Sequence, residues 1–406
     1  MHDICRNSVR AVALLCLTWV CGAWQEARAG QAEKVRIAVV VSDGGVAWQE
    51  VADKCLQAIE NRVRLVNEVA GTEFETVAFY VPHDKRTVEK AFGKILGDNP
   101  DIHSAIAVGS TEMAEGIAGA MEHERPCAVV FPIAIEPKIN DMHPLFCCIL
   151  PDYDYQAEAM AEYLHKMRRG RLAVIYDKRS SVQTALGLRL AAMYSNLGGR
   201  LLNTVPYDQG VETGDEDYSR YLVRANQGGP DIIALLGFSQ EVSTMIRQAQ
   251  ELGISARFCG GISWNSNVLY TGSGVNLDRC FYLDFYMDKT DSPAVEGFVS
   301  AMEAMGVDYP GLELASGWDA MGLLVEAHKG VDTAEGVHAG LLRAMGSFPQ
   351  VTGEGTIRER ERRVLKRMRV IEIQMEDLSP KVYPIAEIVP NDSGLTLKML
   401  PEAVKQ

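Results

Sequence analysis

The sequence predicts an α/β fold: two doubly wound parallel-sheet lobes in tandem, joined by three crossings of the chain. Three observations carry this expectation. Apolar strand-like runs alternate with amphipathic helices through residues 35–131, with short loops between them. The alternation restarts after Leu150 and continues to Cys259. The last third then offers helices followed by late β-like pieces, too few for a sheet of its own. At 406 residues the chain also exceeds one comfortable core, so two domains are the default.

Taken in order, residues 35–41 (VRIAVVV) form a continuous apolar strand, the pattern of a strand covered on both faces. Ser42-Asp43-Gly44-Gly45 is the following loop, and a long helix over 48–69 puts Val51, Cys55, Ala58, Ile59, Val63 and Val66 on one face. A strand at 76–81 and a helix at 87–96 come next. The third strand, 105–108, ends in Gly109-Ser110-Thr111 and feeds a helix with Met113, Ile117 and Ala120 at helical spacing. Residues 127–131 (CAVVF) are the fourth strand, closed by Pro132.

In the second lobe a helix (156–168) leads to a strand at 172–176. A helix over 183–197 ends at Gly198-Gly199, a C-terminal cap signal. Strands follow at 201–205, 232–236 (IIALL) and 257–259, separated by helices at 219–226 and 240–252. Beyond them lie a strand at 281–286, helices at 293–305, 315–328 and 334–344, and β-like pieces at 370–374 and 381–388. The late helices are assigned to the first lobe and the late strands to the second. The expected division is lobe 1 at 30–150 plus 281–348, lobe 2 at 151–280 plus 349–390, and a C-terminal tail at 391–406. Clefts facing the carboxyl ends of such strands are the usual place for a small ligand.

Composition narrows the partners. A formal charge of −14 with no basic block beyond a short arginine-rich run at 358–369 argues against nucleic acid, which needs clustered Lys and Arg. Residues 1–29 read as a cleavable signal peptide. Arg6 and Arg10 form its positive start, 11–23 its apolar run, and Ala27-Arg28-Ala29 a small-x-small cleavage site before Gly30. Export to the periplasm follows, a compartment that permits disulfides. Cys259 and Cys280 each sit in a strand-like run where a bridge between neighbouring strands is one reading. No Cys-x-x-Cys, His/Cys cluster or His-Glu-x-x-His occurs, so neither a metal nor a cofactor is expected.

The strand-to-helix turn at Ser110-Thr111 carries the sharpest chemistry. The first N–H groups of a helix lack intrahelical partners, and the macrodipole makes that end partly positive. A hydroxyl there caps the helix or holds an anionic ligand group; both readings stand.

Four stretches resemble the type I periplasmic binding proteins, and within them the branched-chain amino-acid (Leu/Ile/Val) binding proteins of ABC importers. Ala107-Val108-Gly109-Ser110-Thr111 is similar to the family's strand–Gly–Ser turn, and residues 130–137 (VFPIAIEP) to its pocket loop. Gly237-Phe238-Ser239-Gln240-Glu241 with Ile246-Arg247-Gln248-Ala249 resembles its aromatic loop and following helix. Trp318-Asp319-Ala320, then Phe348 and Val351-Thr352-Gly353, resembles its late helix and turn. The resemblance implies a non-enzymatic solute-binding protein that closes its lobes on an amino acid or organic carboxylate and delivers it to a membrane permease. The alternative on the same fold is a sensor that signals to a membrane or regulatory partner.

The resemblance also implies a ligand site. Ser110 and Thr111 would hold the ligand's anionic end, helped by main-chain groups of Ile133 and Ala134. Ser181 stands where the family often has a Tyr, and Phe238 would cover the ligand from the second lobe. Trp48 and Trp264, on loops expected to face the cleft, would be exposed indoles. Two departures bear on the ligand. Ile135 replaces a Thr of the pocket loop, and residues 260–265 (GGISWN) lack the acid that would pair with a ligand ammonium. Asp43, Asp208 and Glu212 are the remaining candidates for that charge, and a ligand without an amino group is the other reading.

Overall fold

Uninterrupted apolar runs become central parallel strands here, because helices cover both faces of each sheet. The computed structural model describes residues 34–400, apart from 44–45, 70–71, 83, 168–169, 209–215, 272–274, 289, 291, 359–361, 377–378 and 392–393. The expected signal segment, Gly44-Gly45 and Glu212 lie outside the described residues, as does the side chain of Trp48. The described chain divides into two units, one of residues up to Pro151 plus Tyr286–Leu365, the other of Asp152–Phe285 plus residues from Lys366 onward. The chain therefore passes between them three times.

The main sheet of the first unit has five strands: β1 (Lys34–Asp43), β2 (Glu73–Pro82), β3 (Ser104–Val108), β4 (Ala128–Phe131) and β5 (Phe146–Cys148). They are ordered β2-β1-β3-β4-β5, and every neighbouring pair is parallel. Ala38 and Val40 of β1 join a core with Val88, Phe92, Met113 and Ile117 from the helices Lys85–Asp98 and Thr111–His123. Ile37, Val39 and Val41 alternate with them along the strand and are equally buried, so both faces of β1 are covered. Asp84 caps the first of those helices, its side chain accepting from the Thr87 N–H at 3.0 Å.

The returning helices Pro293–Glu303, Leu312–Ala327 and Ala334–Met345 belong to this unit. Helix Leu312–Ala327 packs on helix Val46–Asn67 closely enough that the Cys55 thiol donates to the Glu313 carbonyl at 3.1 Å. Arg62 lies over the Trp318 ring at 4.5 Å. The buried Asp319 carboxylate accepts from the N–H groups of Val351 and Thr352, both at 2.8 Å, and from the Thr352 hydroxyl at 2.7 Å. Arg362 donates to the carbonyls of His143, Pro144 and Phe146. Those bonds hold the stretch 349–365 on the first unit. The division by sequence pattern placed it in the second lobe with the late strands that follow it, without these long-range anchors.

The second unit contains β6 (Arg171–Asp177), β7 (Arg200–Tyr207), β8 (Ile232–Leu236), β9 (Arg257–Gly260) and β10 (Phe281–Asp284). These five run in the order β10-β9-β8-β6-β7 with parallel pairing. Strands Met368–Glu376, Ser379–Asn391 and Gly394–Met399 extend the sheet antiparallel beyond β10. The last of them falls in the stretch read as a tail. Its alternation of Leu395, Leu397 and Met399 is a period-two signal, and Gly394, at φ 136°, turns the chain back onto Asn391. Tyr155 ties the parts of this unit together by donating to the Lys366 carbonyl at 2.7 Å.

Cys259 and Cys280 are free, buried thiols, not a bridge. Among the described residues no helix is long and apolar enough to cross a membrane.

Candidate ligand-binding residues at the strand ends

The carboxyl ends of the first unit's strands gather the turn at Ser110 and the loop after β4. Gly109 ends β3 where a Cβ would lie 2.2 Å from the Met113 sulfur and 2.9 Å from its Cβ, so only glycine fits. Ser110 precedes helix Thr111–His123 with extended backbone (φ −87°, ψ −175°), the position of a cap, yet its side chain makes no cap bond to the helix. Its hydroxyl donates instead to Glu112 Oε2 at 2.6 Å. Thr111 is buried, and its hydroxyl donates to Glu136 Oε1 at 3.2 Å. Glu136 lies in the loop Pro132-Ile133-Ala134-Ile135-Glu136-Pro137. In that loop Ala134 is buried and Ile133 half-buried. Desolvation raises the Glu136 carboxyl above the usual carboxylate range, against the pull of the Thr111 hydroxyl, and the nearby Glu112 charge raises it further.

The second unit presents a different arrangement at its strand ends. Asp177 closes β6, Tyr207 closes β7, and Gly237-Phe238 follow β8. Arg179 forks onto Asp177, with Nε at 2.9 Å from Oδ1 and Nη2 at 2.7 Å from Oδ2, and its Nη2 also donates to Glu241. The Tyr207 hydroxyl donates to Glu241 Oε2 at 2.5 Å, and the Phe238 N–H reaches the same oxygen at 3.4 Å. Burial raises the Glu241 carboxyl, which its Tyr207 and Arg179 bonds oppose. A Cβ on Gly237 would sit 2.0 Å from the Tyr207 hydroxyl oxygen, so this glycine makes the network geometrically feasible. The result holds Phe238 out with 54% of its surface exposed. An aromatic ring standing free on a backbone fixed by buried ionic groups is placed to cover a flat or branched apolar group.

Ser181 is exposed at the start of helix Ser181–Asn196, whose cap is the neighbouring Ser180, accepting from the Gln183 N–H at 3.3 Å. Trp264 corrects an expectation. It is fully buried in a single 3-10 turn, Ile262–Trp264, and its indole N–H donates to the Leu235 carbonyl at 3.1 Å. Gly260 makes room for it, since a Cβ there would meet the indole nitrogen at 1.9 Å. Trp264 is a core residue of this unit and not an exposed indole. Asp208 is already paired, with Lys178 at 2.8 Å and the Tyr221 hydroxyl at 2.6 Å, and the Lys178 bond leads in lowering its carboxyl to about 2.

Glu136, Arg179, Tyr207 and Glu241 were not singled out by sequence pattern. Glu136 was in view, as the acid inside the proline-bounded loop. Its approach to Thr111 depends on β3 and β4 being neighbours in the sheet. Among the described residues no group of His, Cys, Asp and Glu is arranged to hold a metal ion.

Comparison with known proteins agrees with this architecture. Residues 34–377 match the family model described as periplasmic binding protein. The chain is 24% identical over 343 residues to Leu/Ile/Val-binding protein homolog 1 of Brucella suis, covering 79% of this chain and 89% of that protein. Among solved structures it is similar to a leucine-binding protein of Thermotoga maritima, with a TM-score of 0.73 at 21% identity, covering 88% of this chain and 99% of that one. It is also similar to an ABC-transporter solute-binding protein of Rhodopseudomonas palustris in complex with 3,4-dihydroxybenzoic acid, with a TM-score of 0.73 at 14% identity. That match covers 87% of this chain and 97% of the other.

Proposed function

The chain belongs to the periplasmic binding protein family, and from that premise we propose that it is the extracytoplasmic solute-binding component of an ABC importer. It is exported by the signal segment at 1–29, takes up one small amino-acid-like or carboxylate solute by hinge closure of its two lobes, and hands it to a membrane permease. It performs no chemistry on the solute. The observation that carries this reading is Phe238, held exposed on a rigid ionic network at the carboxyl end of one parallel sheet. Ser110, Thr111, Ile133 and Ala134 supply the corresponding residues of the other sheet, with Trp48, in the first turn of helix Val46–Asn67, and Ser181, which opens helix Ser181–Asn196, as further candidates.

The names of similar proteins supply the first probes, leucine and 3,4-dihydroxybenzoate. A ligand at about 100 times its dissociation constant adds roughly 2.7 kcal/mol, enough to raise the melting temperature by several degrees. The expected result is such a rise with compounds of one of these classes, with the compound recovered unchanged. Phe238→Ala is expected to weaken binding about tenfold or more, corresponding to ~1.5 kcal/mol of lost apolar burial, while barely moving the melting temperature of the unliganded protein. Unaltered affinity in that variant removes Phe238 from the site, and turnover of a bound compound overturns the non-catalytic reading.

A further inference from the structure

Arg179 stands two residues past β6, at the carboxyl end of the second unit's sheet, and only part of its guanidinium is committed. Nε and Nη2 fork onto Asp177 at 2.9 and 2.7 Å, the Arg179 main-chain N–H reaches the same carboxylate at 2.9 Å, and Nη2 also donates to Glu241. Both acids are buried, whereas 40% of the Arg179 side chain is exposed. Nη1 bonds to no described residue, which leaves two N–H donors on a guanidinium that is already immobilised. A mobile surface cation loses rotamer freedom when it engages a ligand; this one has little left to lose. Its neighbour Lys178 is taken up by Asp208 at 2.8 Å.

The charge around Arg179 selects what those donors suit. Glu241 accepts from Arg179 Nη2, the Tyr207 hydroxyl and the Phe238 N–H, as an ionised carboxylate does. One guanidinium is therefore set against two carboxylates. A ligand carboxylate there would be a third anion beside a single cation, while an uncharged oxygen brings lone pairs without that repulsion. The Glu241 carboxylate also holds the guanidinium through Oε1 and the Phe238 main chain through Oε2, so the spare donors and the exposed ring belong to one fixed assembly. Resting on the solute-binding reading above, we propose that Arg179 is a specificity-determining residue, donating from Nη1 to an uncharged oxygen on the part of the solute that Phe238 covers. The solute class narrows to branched or aromatic molecules that carry a hydroxyl, carbonyl or amide oxygen on that part.

Matched compounds test this. Threonine and valine share a shape and differ by a hydroxyl in place of a methyl, and 4-hydroxybenzoate differs from benzoate by its ring hydroxyl. Dissociation constants are measured by calorimetry on the purified protein, on Arg179→Lys and on Arg179→Met. The lysine variant keeps a cation between Asp177 and Glu241 and loses Nη1, so it carries the test should methionine disturb the fold. The expected result is that the oxygen-bearing member of at least one pair binds the parent protein at least tenfold tighter than its partner. In the variants that preference falls to about twofold or less. Both members binding the parent alike overturns the role of Arg179 while leaving solute binding intact. So does an equal weakening of both members in Arg179→Lys with their ratio preserved, which is what a purely structural arginine would produce. If no member of either pair binds the parent protein, the solute-binding reading fails for these classes and the inference falls with it.

Discussion

At the scale of single residues, His328 shows how burial sets a pH response. It is buried in the first unit, its Nε2 2.8 Å from the Ser104 hydroxyl, and desolvation lowers its pKa to about 4. Its folded-state pKa lies below the unfolded value, so the unfolded chain binds more protons between the two. Stability is therefore expected to fall as pH drops from about 6.5 toward 4, by on the order of 3 kcal/mol. The raised carboxyls of Glu136 and Glu241 act with the opposite sign, since their folded forms hold protons the unfolded chain releases. Denaturant titrations of the parent and His328→Gln across that range isolate the histidine: the variant should lose a large part of the acid-side slope, with His143 and His338, also lowered by burial, supplying a further part of the same sign. An identical slope in both would mean that His328 does not titrate as its burial requires. Single residues were also where the sequence was least legible. Ser110 and Thr111 could be located by pattern, but the carboxylates that take their hydroxyls could not all be. Glu112 is two positions from Ser110, whereas Glu136 reaches Thr111 only through the pairing of β3 with β4. Trp264 misled because its loop was expected to face the cleft and leave the indole exposed. Here the missing Cβ of Gly260 is the space the indole fills.

Secondary-structure elements were read more securely. Strands β1, β3 and β8 are uninterrupted apolar runs because both faces are covered, and that pattern survives without any tertiary knowledge. What escaped were an edge strand with half-buried alternation, Gly394–Met399, and the assignment of 349–365, whose Val351, Thr352 and Arg362 bond to Asp319 and to the carbonyls of His143, Pro144 and Phe146, far away in sequence. Contact between elements makes its own prediction. A Cβ on Gly317 would lie 2.5 Å from the Cys55 carbonyl oxygen and 3.0 Å from its Cα, in the backbone of the facing helix. Gly317→Ala should therefore destabilise by roughly 1–3 kcal/mol as the two helices are forced apart. Gly297, in helix Pro293–Glu303, has nothing within 4 Å of its Cβ position. Gly297→Ala is expected to be neutral or to stabilise by up to about 1 kcal/mol. Equal gains for both in denaturant melts would show that helix propensity and not packing decides these sites.

For the whole molecule, two units each with its own sheet imply unfolding that departs from a single two-state step. Calorimetry is expected to give a total enthalpy larger than the van't Hoff value, with Gly317→Ala shifting the part that belongs to the first unit. A single transition with equal enthalpies would mean the units melt together. The cysteines supply a way to tell the parts apart. Cys55, Cys127, Cys147 and Cys148 are buried in the first unit, and Cys259 and Cys280 in the second. Brief pulses of a thiol-alkylating reagent along a denaturant gradient, followed by peptide mass mapping, would tag each set only once its own layer of helices has parted. The order in which the two families of mass-shifted peptides emerge becomes a chronology of opening, written into the native chain without any added label.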